Sequence, residues 1–95
     1  MNELLEIVAK TYNYVLKRIN DINNDIDKLN EIKNELVKGR FDYDTLQNLQ
    51  RVEDEINVRK EVLKRYYTEL ENIENNDIFK AITMNATTII NGGNV

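Results

Sequence analysis

The chain contains no cysteine, no histidine, no proline and no tryptophan. Without cysteine there is no disulfide framework, no thiolate nucleophile and no sulfur-ligated metal. Without histidine the commonest general base and the commonest transition-metal ligand are both missing. Without proline nothing punctuates a long helix. Glycine is scarce as well, at three residues in 95. No apolar run approaches the roughly 20 residues that span a bilayer. The opening stretch MNELLEIVAK carries acidic residues where a signal peptide carries basic ones, so a cytoplasmic protein with no membrane association is expected. The pattern Asn85-Ala86-Thr87 fits a glycosylation acceptor, which has little meaning without a secretion signal.

What is present is a regular apolar stripe. Leu5, Val8, Tyr12, Val15, Ile19, Ile22, Ile26, Leu29, Lys33 and Leu36 follow one another at spacings of three and four. This is a heptad pattern with one polar intruder, Lys33. It predicts a helix over residues 3–38. The pattern stops at VKGRFDYDT, where Gly39 is expected to end the helix in a left-handed conformation. Asp42 or Asp44 would cap the next helix, because a short acceptor satisfies the free N–H groups of a first turn. The stripe resumes with Leu49, Val52, Ile56, Arg59, Leu63, Tyr66, Leu70 and Ile73, predicting a helix over 44–75. A third helix over 77–90, capped by Asn76 or Asp77, would carry Ile78, Ile82, Ala86, Ile89 and Ile90 on one face. Residues 91–95 read as a loose tail.

Two long helices joined by a few residues fold back on each other. The expected fold is therefore all-α: a long antiparallel helical hairpin, or coiled coil, with a short third C-terminal helix, forming a single domain over residues 1–90. Reflection about the turn pairs residues whose numbers sum to about 82, such as Ile26 with Ile56. The polar intruders then find partners, Arg59 near Asp21 and Asp25, and Lys33 near Glu53. The third helix would cover the open end near Tyr14 and Tyr67. It is too short to reach the turn, where Ile32, Val37, Phe41, Tyr43 and Leu46 would stay uncovered. These five are the candidate self-association residues.

Carboxylates are abundant, as in Glu53, Asp54, Glu55 and Glu61. A catalytic pair needs a cleft that drives two pKa values apart, and a thin hairpin provides none. Asp21-Asn23-Asp25-Asp27 has the oxygen-rich spacing of a calcium loop but lacks its central glycine and distal glutamate. Neither metal nor cofactor is expected. Nor is a small-molecule substrate. The net charge of −4 hides a strong asymmetry. Residues 10–18 and 59–67 together hold seven cations against one acid, Glu61, a balance of +6. Residues 25–55 hold nine acids and five bases. Folding the hairpin would gather Lys17, Arg18, Lys60, Lys64 and Arg65 beside Tyr14 and Tyr67 into a basic belt. Such a belt suits phosphates, nucleic acid or an acidic partner, or the acidic region of a second copy.

Two long helices and a shorter third form an architecture similar to the tubulin-binding cofactor A type of chaperone. FDYDTLQNLQ, residues 41–50, resembles the entry of those proteins into their second helix. The resemblance implies a small helical chaperone or cofactor-like protein and assigns no role to individual residues. From the residues themselves the expectation is a non-enzymatic assembly or adaptor module, a homodimer or a binder of another protein. Polyanion or nucleic-acid binding through the belt is the alternative.

Overall fold

The computed structural model describes residues 2–81. They form two long helices, α1 (Asn2–Lys38) and α2 (Tyr43–Glu74), packed antiparallel, and residues 77–81 begin a short third helix. Residues 82–90 of the expected third helix and the tail at 91–95 lie outside the described residues. At 1.5 Å per residue, α1 is about 55 Å long.

The core is the seam between the two stripes. Val15, Ile19, Ile22, Ile26, Val52 and Ile56 are buried, and Leu29, Leu36, Leu63, Val62 and Tyr66 pack half-buried against them. Every α2 stripe residue is buried or half-buried, as is every α1 stripe residue except Leu5 near the N-terminus. The 3–4 spacing thus does what it predicts: it keeps one edge of each helix turned to the other over several turns. A core this narrow leaves most of the chain exposed, which is the normal condition of a two-helix rod.

The turn runs from Gly39 to Asp42. Gly39 does not adopt the expected left-handed conformation, since its φ is not positive. Its N–H instead donates to the Leu36 carbonyl at 3.2 Å, a tightened last turn that satisfies one of the orphan carbonyls of α1. Asp42 is the N-cap of α2: its Oδ1 accepts from the Thr45 N–H at 2.8 Å. At the other end, Asn75 closes α2, and Asn76 caps the third helix, its Oδ1 accepting from the Ile78 N–H at 2.8 Å.

The register differs from simple reflection about the turn. Lys33 forms an ion pair with Glu53, and the Arg18 guanidinium lies 5.9 Å from the centre of the Tyr66 ring. These pairs have residue-number sums of 86 and 84, which bracket 85 rather than 82. The reason is interdigitation. With the stripes at heptad positions a and d, antiparallel helices pack a against d, and Ile26 with Arg59, Leu29 with Ile56 and Lys33 with Val52 all sum to 85. Side-chain layering therefore moves each residue's partner by about three positions from the one simple reflection assigns.

Candidate functional site

Two candidate surfaces follow from the sequence, an apolar tip and a basic belt. The tip residues are exposed as expected. Ile32, Val37, Phe41, Tyr43 and Leu46 all lie open to solvent. Phe41 and Leu46 flank the Asp42 cap at the positions of a hydrophobic staple, where the residue before the cap packs on the fourth helical residue. Yet they remain 66% and 53% exposed, so local packing alone does not account for them.

Helical phase sorts these residues. At 100° per residue, Val37 falls at heptad position e of α1 and Leu46 at position e of α2. In an antiparallel pair the two e positions border the same flank, so Val37 and Leu46 are neighbours near the turn, with Tyr43 next to them. Ile32 falls at position g, on the opposite flank, between Glu31 and Glu35. The expected five-residue patch is therefore split: Val37, Tyr43 and Leu46 share a flank, Ile32 faces the other way, and Phe41 sits in the turn itself.

The same phase shows a second apolar pair that sequence reading alone did not connect. Leu16 in α1 and Tyr67 in α2 also occupy e positions and lie within about 3 Å of the same level along the rod. Both are exposed. The flank with Val37 and Leu46 thus carries two apolar pads. The heptad letters and the antiparallel direction were both readable from the sequence, and together they already place the two e positions on one flank.

The two basic segments of the belt do not lie side by side: reflection at a sum of 82 sets residues 59–67 level with 15–23, and the sum near 85 moves them on to 18–26, past residues 10–18. The two basic segments abut end to end and meet where Arg18 stacks near Tyr66, close enough for a cation–π contact. Lys17 points away from the seam at position f, Arg18 lies on the Ile32 flank, and Lys60 and Lys64 lie toward the opposite one. The cations form a sleeve around the rod rather than a cleft. Part of their charge is already matched: Arg18 lies 4.0 Å from Asp21, and Lys64 3.2 Å from Glu61. Arg59, expected to meet Asp21 and Asp25, instead donates to the Glu55 carbonyl of its own helix at 3.2 Å.

Tyr14 and Tyr67, expected beneath the third helix, are 57% and 48% exposed. The contact made by the start of that helix is with a seam residue instead: the Phe79 and Tyr12 rings lie 4.9 Å apart and tilted by 43°. This is ordinary aromatic packing.

Two carboxyls respond to their surroundings. The Thr45 N–H holds Asp42 below its usual range, and Lys33, by its hydrogen bond and then its charge, does the same for Glu53. Both are structural contacts, a cap and a seam ion pair. A groove of about 290 Å³ at the open end is lined by Ile7, Val8, Thr11, Asn72, Ile73 and Asn76. None of these side chains titrates, so the groove has no acid–base chemistry of its own. Among the described residues, no cluster of three or more acidic side chains is placed to hold a metal ion, and no helix is long and apolar enough to cross a membrane. Compared with protein families, curated proteins and solved structures, the chain matches none.

Proposed function

We propose that this protein is a non-enzymatic coiled-coil assembly module of the cytoplasm that acts by self-association and protein–protein contact. One observation carries the reading. Large apolar side chains line a flank of a rigid rod at Val37, Tyr43 and Leu46 and again at Leu16 and Tyr67, and all of them are exposed. An amphipathic helix with apolar residues at a and d alone is satisfied by one partner helix. Adding position e widens the stripe to that of a helix with two neighbours, as in a four-helix bundle.

Light scattering coupled to size exclusion tests this. The expected mass is two copies at micromolar concentration, falling toward one on dilution. A mass of one copy throughout, with no partner captured by the rod, overturns the reading.

A second reading rests on Lys17, Arg18, Lys60, Lys64 and Arg65, which make the middle of the rod basic on a protein of net charge −4. In that reading the sleeve holds a polyanion such as nucleic acid. Its affinity would fall steeply with salt as counterions are released, and Lys64→Glu with Arg65→Glu would abolish it. Affinity for a short duplex that is indifferent to both manipulations rules it out.

A further inference from the structure

The two apolar pads are related in a way that specifies how a second copy docks. Leu16 and Val37 are 21 residues apart in α1, and Leu46 and Tyr67 are 21 residues apart in α2. Both intervals are three heptads, about 31 Å along the rod. On this one flank, then, an apolar pad near the turn repeats as an apolar pad further along. Between the pads the e positions are polar: Asn23 and Asn30 from α1, Glu53 and Lys60 from α2.

We infer that a second copy of this chain packs antiparallel on this flank, so that the Val37–Leu46 pad of each copy covers the Leu16–Tyr67 pad of the other. The inference deepens the self-association reading and rests on it. A two-fold axis midway between the pads superimposes each pad on its counterpart. It also brings Glu53 of one copy to within about 3 Å, measured along the rod, of the level of Lys60 of the other, twice by symmetry. The wider charge pattern agrees. The acidic region 25–55 of each copy would lie along the basic sleeve of the other, whereas a parallel arrangement stacks acid on acid and base on base. The opposite flank also carries exposed apolar side chains, Leu4 and Ile32 at g and Ile7, Tyr14 and Val58 at c, but these do not fall in cross-helix pairs at a common level, and Arg18, Asp25, Glu55 and Glu69 occupy other g positions there. A shared face about 50 Å long and one hairpin wide is on the order of the roughly 800 Å² per partner of an ordinary stable interface.

Because the chain has no cysteine, Arg40→Cys places a single spin label in the turn of each copy. Pulsed dipolar spectroscopy on the full chain then reads the orientation. The antiparallel dimer predicts labels about 40 Å apart. A parallel dimer brings them within about 20 Å, since packed helices lie 8–10 Å apart, and that result overturns the inference while leaving self-association intact. A mass of one copy at every concentration removes the self-association reading and this inference together. The pairing is tested separately by charge exchange, with helicity followed by circular dichroism. Lys60→Glu is expected to weaken the dimer about tenfold. Adding Glu53→Lys in the same chain is expected to restore it. Failure of the exchange to restore association overturns the pairing. Should the exchange disturb the fold through the lost Lys33 contact, the label distance still decides the orientation.

Discussion

In the middle of the hairpin, from Val15 to Ile26 and from Val52 to Ile56, the apolar side chains of one helix close against those of the other, and six are buried. Near the turn the chain is no less apolar, but Val37, Phe41, Tyr43 and Leu46 stay in water. The difference is one of phase rather than composition. The buried residues stand at a and d, where a single neighbouring helix covers them. The exposed ones stand at e, at b, or in the turn, out of reach of the single neighbouring helix. The buried set holds the rod together, and the exposed set is the one on which the proposed self-association rests.

Breaking the middle should cost most. Ile56→Ala removes a side chain that is 3% exposed, and should destabilise the fold by about 3 kcal/mol. Thermal melting followed at the helical circular dichroism signal would show this as a large drop in midpoint. An unchanged midpoint would mean the seam is not the core. The Asp42 cap comes next. Asp42→Ala leaves the Thr45 N–H without its acceptor, and the midpoint should fall by about 5 °C. The same contact gives a pH dependence whose sign is fixed. The folded carboxyls of Asp42 and Glu53 are held below their ordinary values of 3.8 and 4.5. Their contribution is therefore complete above about pH 5 and is lost as pH falls through the folded values. Acid melting should begin below about pH 4, and Asp42→Asn should flatten it.

At the tip the expected effects on the fold are small. Leu46→Ser should change stability by less than about 0.5 kcal/mol while shifting the mass toward one copy, so that fold and association part company at one residue. Gly39→Ala should be the mildest. An added Cβ would meet only the Leu36 and Glu35 carbonyl oxygens, at 3.5 and 3.9 Å, and φ is not positive. The variant should be more stable by up to about 0.5 kcal/mol, because the unfolded chain loses freedom. A marked loss would mean the turn requires glycine after all.

Much of the fold was legible in the residues because a heptad stripe and a cap are local signals. The limits of both helices and the Lys33–Glu53 pair follow from spacing and reach, and each cap was narrowed to two candidates, Asp42 or Asp44 and Asn76 or Asp77, between which the structure chooses Asp42 and Asn76. What was not legible depends on contact between helices. The register of 85 comes from how side chains interleave, which reflection about a turn cannot supply. Arg59 took a carbonyl on its own helix because its long side chain reaches back one turn more cheaply than across the seam. Gly39 was expected to be left-handed from its position after a helix. A chain that turns within four residues did not need it to be. The split of the tip residues between two flanks, and the kinship of Leu16 and Tyr67 with Val37 and Leu46, follow from heptad phase in an antiparallel pair, a signal the sequence contained but the reading by exposure alone passed over.

The separation of the cross-helix contacts along the chain predicts an order of assembly. The rung between Lys33 and Glu53 closes a loop of 20 residues, and that between Arg18 and Tyr66 a loop of 48. Chain entropy makes the shorter closure cheaper. The hairpin is thus expected to zip from its apex toward its open end, and to fray in the reverse direction. The end holding Tyr12 and Phe79 is the last to be secured, and in hydrogen exchange it should be the first to let go.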